Sequence, residues 1–195
     1  MMFINPLDKL GEWLAQERLL GNPFAHGAVL GTQGEDGMPH TRMLGVSFDS
    51  QKKPKFHTSP VSRKVRDISL SNTASLTFAF QQKMRSVSLE GFLEQLSDQE
   101  LRSDWKTLEP EFRRNYLVFG HQSGIKIDSL QELHLQQSQL PNAAEENRPL
   151  SFIGYTFKII QRISFYSVAE KDFARYEVYK FNPITQCWIY SLRVP

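Results

Sequence analysis

Short apolar runs joined by polar turns are the feature that most limits what this chain can fold into. Ala28 to Thr32 and His40 to Phe48 flank the turn Gly34-Glu35-Asp36-Gly37, a β-hairpin signal. Asp49 to Pro54 makes a second polar turn, and Lys55 to Thr58 a third strand. Ala74 to Phe80 and Arg85 to Leu96 follow, linked through Gln81 to Met84. Tyr155 to Tyr166, Arg175 to Phe181 and Gln186 to Val194 resume the pattern, the last two joined by Asn182-Pro183. Strands joined this way pair antiparallel, so about eight of them predict an antiparallel barrel or sandwich. The alternation Val87, Leu89 breaks at Gly91, which predicts a bulge or a close backbone approach.

Helices are added to this frame. Leu7, Leu10, Trp13 and Leu14 recur at helical spacing between charged residues, predicting an amphipathic helix over 6–19 that Gly21-Asn22-Pro23 stops. A second helix is predicted over 61–71. Ser97-Asp98-Gln99-Glu100 is a capping box, and the helix it starts turns Leu101, Trp105 and Leu108 to a core. Residues 109–124 read as further helix and turn. Residues 126–150 read as a short helix followed by an exposed loop from Pro141 to Pro149. The fold class is mainly β (α+β), antiparallel with flanking helices, in a single domain over 1–195.

Composition removes several function classes. The chain has 195 residues, 40% hydrophobic and 23% charged, the make-up of an ordinary globular protein. A net charge of +2 argues against a broad nucleic-acid footprint and makes any basic site local. The lone Cys187 excludes a disulfide within the chain and, lying in an apolar run, reads as a small buried hydrophobe. Met1 to Pro6 shows no cationic segment leading into an apolar one, and no apolar run approaches the roughly 20 residues of a membrane span, so a cytoplasmic protein is expected. The histidines at 26, 40, 57, 121 and 134 form no HxH or HxxxH pair, so no metal site is expected. GxSxG, GxGxxG and the phosphate-loop consensus are missing, and Glu145-Glu146 reads as a solvated face.

Phe56-His57-Thr58-Ser59-Pro60-Val61-Ser62-Arg63-Lys64 carries the chemistry. Hydroxyls and backbone N–H groups at a helix start, backed by Arg and Lys, suit an anion, best a phosphate monoester with close to two negative charges. A solvated basic turn is the plain alternative. Arg42 on the preceding strand and Arg85 at the start of the fifth are further cations, and a meander that set Arg42 beside His57 would converge several charges on one phosphate.

In this order the segments resemble the pyridoxamine 5′-phosphate oxidase family of FMN-binding split β-barrels, over most of the chain. Thr41-Arg42-Met43-Leu44 is similar to the family's Arg-x-Val-Leu strand. Phe56-His57-Thr58 with Ser62-Arg63-Lys64 is similar to its phosphate signature, and Arg85 to Gly91 to its Arg-Gln-Val-x-Val-x-Gly strand. His121-Gln122-Ser123, Ile163 to Tyr166 and Trp188 to Pro195 fit its later segments. The resemblance implies FMN at the interface of a homodimer. Arg63 and Lys64 would bind the phosphate, helped by Thr58 and Ser62, with Arg42 reaching the phosphate or ribityl chain. Backbone from Met43 and Leu44 to Val46 would lie along the flavin ring, and His57 would be a neighbour of the flavin. Ser86 falls on the matched strand; Gln122 and Ser123 would come from the second subunit; Tyr166 and Arg175 would stand near the flavin.

The departures fall on the family's substrate site. Its Lys after the Arg strand is Ser47 here, its helix positions are about Asp104 and Leu108, and its Arg-x-His reads Asp172-Phe173-Ala174. Each lost charge-assisted hydrogen bond removes on the order of 1.5–3 kcal/mol. The reading is an FMN-dependent oxidoreductase acting on a small molecule other than pyridoxamine phosphate, with no acid or base assigned. A non-catalytic flavin-binding protein and a pyridoxamine phosphate oxidase with an altered pocket are the alternatives.

Overall fold

The run His40–Phe48 is broken at Val46, and the break organises the molecule. The structure, a computed structural model, describes residues 5–195, so most of the Met1–Pro6 start lies outside the described residues. Before the break lies β2 (Pro39–Gly45), after it β3 (Ser47–Phe48). The other strands are β1 (Gly27–Gln33), β4 (Pro54–Thr58), β5 (Thr73–Phe80), β6 (Arg85–Gln95), β7 (Ile153–Ser167), β8 (Arg175–Asn182) and β9 (Cys187–Arg193). The sheet runs β2-β1-β5-β6-β7-β4-β3, with β8 and then β9 added outside β7. β2 and β3 are consecutive in the chain yet stand at opposite ends of that order, so the sheet must curl back on itself. The buried Val46 donates its N–H to the His26 carbonyl at 3.0 Å at the seam. All registers are antiparallel. This is a split β-barrel, mostly β with flanking helices.

Alternation explains the core. Leu76, Phe78 and Phe80 on β5, Val87 and Leu89 on β6, and Phe157, Ile163 and Phe165 on β7 point inward and are fully or nearly fully buried. α1 (Pro6–Leu19), capped by the Asn5 side chain on the Leu7 N–H, closes one end with Leu7, Leu10 and Leu14. Gly91 sits at a register shift between β6 and β7, where a Cβ would come within 2.1 Å of the Ile159 carbonyl oxygen. The predicted close approach is there, and only glycine fits it.

A second core lies outside the barrel. α3 (Asp98–Thr107) starts on the predicted capping box, and Leu101 and Trp105 pack with Leu96, Tyr116 and Phe152. Tyr116 belongs to α4 (Pro110–Phe119), which is followed by α5 (Leu130–Ser138). The segment after α5, expected to be an exposed loop, is partly covered. It forms a short 3-10 turn whose Glu145 carbonyl accepts from Trp105 Nε1 at 2.9 Å and Arg113 Nη1 at 3.1 Å.

Three expectations are corrected. Cys187 is exposed, because β9 is an edge strand paired only with β8, and Ile189 and Leu192 are exposed on it too. Arg42 and His57 do not lie on paired strands, since β2 pairs with β1 and β4 pairs with β3 and β7. Arg85 joins no anion site; it is ion-paired to the buried Glu17 of α1 at 3.1 Å.

Candidate functional site: a cationic cradle at the start of α2

α2 (Arg63–Leu70) begins where β4 ends, at a corner held from the helical layer. The Ser59 hydroxyl donates to the Gly120 carbonyl, and the Tyr116 hydroxyl lies against the carbonyls of Thr58 and, at 2.9 Å, Ser151. Burial pushes the Tyr116 phenol well above its ordinary range, so it remains a neutral donor. The buried Thr58 and Ser62 hydroxyls meet at 3.1 Å, and Lys64 Nζ donates to Thr58 Oγ1 at 3.0 Å. Ser62 occupies the N-cap position but its side chain caps nothing, which leaves the first turn of α2 open.

Arg42 reaches the same corner from β2. Its Nη1 donates to Thr32 Oγ1 at 2.7 Å and the Leu30 carbonyl at 3.3 Å, and Nη2 lies 3.4 Å from Asp67 Oδ2. Burial and then the charge of Arg42 lower the Lys64 ammonium below its usual value. Burial lowers Arg42 as well, Asp67 opposing and Arg63 adding to the shift. The three cations therefore feel one another, and one carboxylate, Asp67, is bonded among them. Burial pushes Asp67 up, but hydrogen bonds from Thr32 and His40 with the charge of Arg42 outweigh it and hold the carboxyl low. An anion with several acceptor oxygens is the ligand that such a set attracts.

The sequence-predicted residues fall into separate groups. Arg42, Thr58, Ser62, Arg63 and Lys64 form the cradle. Leu44 packs on the barrel core beside it, while Met43, one residue away on the opposite face of β2, is exposed. Ser86 on β6 lies directly across from Tyr166 on β7, and Arg175 begins β8 opposite Ser167. Arg175 Nε contacts Glu177 at 3.3 Å. Beside Arg175 a cavity of about 550 Å³ is lined by Phe173, Ala174 and Arg193. Gln122 and Ser123 follow α4, and the Gln122 amide donates to the Val118 carbonyl and to Gln136. Among the described residues no hydrogen bond or ion pair joins the cradle to the Ser86–Tyr166–Arg175 group.

His57 faces the helical layer. Its ring stacks on Phe152 with centroids 4.6 Å apart, and Nε2 donates to Asp104 Oδ2 at 2.8 Å. Lys55 also pairs with Asp104 and sits opposite Ser47 in the β3–β4 register. Burial lowers the His57 imidazole below its ordinary 6.5, against the Asp104 bond and with help from Lys55. The unfolded chain therefore takes up this proton first as pH falls. The stability tied to neutral His57 is complete above about pH 6.5 and is lost progressively below it. Denaturant midpoints measured against pH are expected to show this decline in the wild type and not in His57→Gln.

Sequence reasoning missed His40, Asp67 and Thr32. Asp67 Oδ2 accepts from Thr32 Oγ1 at 2.7 Å and from His40 Nδ1 at 2.9 Å, and Arg63 Nη2 contacts His40 Nε2. The period of α2 is the available signal: Asp67 follows Arg63 by four residues and faces the sheet with Ile68.

The chain is a split β-barrel whose β4–α2 corner gathers three cations and two hydroxyls. A pyridoxamine 5′-phosphate oxidase family model matches residues 24–136. The chain belongs to the pyridoxamine 5′-phosphate oxidase family. It is 30% identical over 96 residues to a pyridoxine/pyridoxamine 5′-phosphate oxidase of Bordetella petrii, covering 49% of this chain and 46% of that one. It is 25% identical over 145 residues to the enzyme of that name from Burkholderia lata, covering 74% and 67%. The first match thus spans less than half the relative's own length. Two solved structures share the fold at 18% identity. One is PhzG from Burkholderia lata in complex with tetrahydrophenazine-1-carboxylic acid, with a TM-score of 0.83 over 98% of this chain and 93% of that one. The other, a pyridoxamine 5′-phosphate oxidase-related, FMN-binding protein from Nostoc punctiforme, has a TM-score of 0.80 over the whole of both chains. No helix among the described residues is long and apolar enough to cross a membrane.

Proposed function

We propose that the protein is an FMN-dependent oxidoreductase, working as a homodimer on a small molecule that lacks the phosphate of pyridoxamine phosphate. The observation that carries this reading is the convergence of Arg42, Arg63 and Lys64 with two buried hydroxyls at the uncapped start of α2. The donor set fits a phosphate monoester: guanidinium, ammonium, hydroxyl and open backbone N–H groups, with excess positive charge. Flavin, when bound, would supply the redox chemistry. The chain's own residues would anchor its phosphate and position its ring. The FMN-binding Nostoc protein of the same fold supports the cofactor. Two unlinked groups of candidate residues on one chain suit a site completed by a second copy, with the cradle from one protomer and Gln122 and Ser123, joined by Ser86, Tyr166 and Arg175, from its partner.

The substrate follows from charges that are committed elsewhere. Ser47 is neutral and exposed, Leu108 apolar, and Ala174 a methyl group. The cation nearest Ser47 in register, Lys55, is held by Asp104, which His57 also occupies. The cation nearest Ser47 is thus already paired and not free to take a second phosphate there; beside Ala174 the nearest cations are Arg193 and the Glu177-paired Arg175.

Purified protein is expected to be yellow, to release FMN on denaturation, and to turn over with a candidate acceptor after anaerobic reduction. Colourless protein that ignores added FMN would refute the cofactor. Flavin that is retained but passes electrons to no acceptor would make the protein a flavin-binding module. Rapid oxidation of pyridoxamine phosphate would overturn the substrate argument.

A further inference from the structure

We propose that His40 and Asp67 are positioning residues that make the cradle select a dianionic phosphate, and hence FMN over riboflavin. The inference rests on the reading that the cradle holds the flavin phosphate.

Asp67 is buried on α2 and its Oδ2 is shared by three donors, Thr32 Oγ1, His40 Nδ1 and Arg42 Nη2. His40 arrives from β2, two residues before Arg42 and on the same face of the strand, with a side chain only 11% exposed. Its Nε2 faces Arg63 Nη2. The two flanking groups dictate the state of the ring. An ionised carboxylate only accepts and a guanidinium only donates. In this geometry Nδ1 donates to Asp67 and Nε2 offers its lone pair to Arg63. Other charged groups around it are Asp36, 4.0 Å from Nε2 and beyond hydrogen-bond reach, with Glu35, Arg63, Arg66 and Asp67 lining the neighbouring cavity.

Two consequences follow for the ligand. Arg63 is exposed and held through His40, while Arg42 is held directly by the same carboxylate. One buried group thus sets the direction of both guanidinium forks. A bidentate fork binds phosphate well only when it points the right way, and an unrestrained arginine loses rotamer freedom on binding. In addition, Arg42, Arg63 and the bonded Asp67, together with Lys64 at the same corner, leave two net positive charges, close in size to the charge of a phosphate monoester. Riboflavin, which has no phosphate, gains nothing from this alignment.

The test uses apo-protein titrated with FMN and with riboflavin, followed by quenching of flavin fluorescence. His40→Phe keeps a ring of similar size and removes both polar contacts. It is expected to weaken FMN about tenfold and leave riboflavin unchanged. His40→Gln, whose amide offers one donor and one acceptor, is expected to recover part of the loss. An FMN affinity in His40→Phe within twofold of wild type would overturn the inference, as would an equal loss for both flavins, which marks a general structural defect. Arg63→Ala separates the two readings. If it keeps its preference for FMN, the cradle assignment itself fails. If it loses that preference while His40→Phe does not, only the positioning role fails.

Discussion

Arg63→Glu is expected to purify without flavin, under conditions in which the wild-type protein carries it. The substitution acts three ways at one place. It removes a donor from the start of α2, puts a carboxylate where the phosphate oxygens would sit, and withdraws the partner of His40 Nε2. Losing a charge-assisted hydrogen bond costs about 1.5–3 kcal/mol, and the repulsion that replaces it is of similar size near a surface. Together they amount to a loss of affinity of at least a hundredfold, on the order of 3 kcal/mol. Folding is not expected to suffer, because Arg63 is exposed and its backbone conformation is ordinary helix. The ratio of flavin to protein absorbance after gel filtration, beside melting temperatures of the two apo-proteins, checks both halves. Full flavin retention would move the phosphate away from this corner. A lowered apo melting temperature would show that Arg63 holds the β4–α2 corner together. Raised salt should weaken wild-type retention too, but less than the mutation does, since Lys64 and Arg42 are partly buried and poorly screened.

The cradle and the barrel differ in how much of each can be read from the sequence. Local features were legible. Gly91 interrupts an alternating strand, and the reason is a carbonyl 2.1 Å from where its Cβ would be. Ser97 and Glu100 form the capping box that their spacing predicts, and Trp105 is buried as its helical face requires. The break at Val46 was not legible, because it depends on where a curled sheet meets its other end, and a single glycine before it, Gly45, marks no turn by itself. Arg85 and Cys187 misled for a related reason. Whether a cation faces an anion or a buried carboxylate, and whether an apolar strand is central or at an edge, is settled by neighbours far away in sequence. Of the cradle, the contiguous stretch from Thr58 to Lys64 could be read directly. His40 and Asp67 could not, since their meeting depends on α2 packing over β1 and β2, and neither residue type is unusual on a surface. The loss of free charge near Ser47 was legible as a missing lysine, whereas the capture of Lys55 by Asp104 needed the β3–β4 register and α3 together.

The largest effect on stability is expected at the other end of β6, where Arg85→Met should lower the unfolding free energy by about 3–5 kcal/mol. Glu17 lies wholly inside, on the face of α1 that packs against the barrel. Arg85 is its one charged partner among the described residues, through Nη2 to Oε1 at 3.1 Å. The same guanidinium donates to Gln16 Oε1 at 2.8 Å and lies over the Trp13 ring at 4.5 Å. Removing it leaves an ionised carboxylate buried against aromatic rings, and that uncompensated charge is the costly element. The pair itself is not expected to contribute much net stability, because burying two charges offsets most of their attraction. Glu17 Oε2 and Arg85 Nε, both without hydrogen-bond partners, make the offset worse. Arg85→Met combined with Glu17→Met should therefore regain most of what the single change loses. Urea unfolding of the wild type, both single variants and the double variant gives the cycle. A double variant no more stable than Arg85→Met would mean that the loss comes from the Trp13 and Gln16 contacts and not from an abandoned charge. Recovery in the double variant would identify the ion pair as the device that fixes how α1 seats on the barrel. That seating places Ser86, the next residue, opposite Tyr166 at the far half of the proposed flavin site.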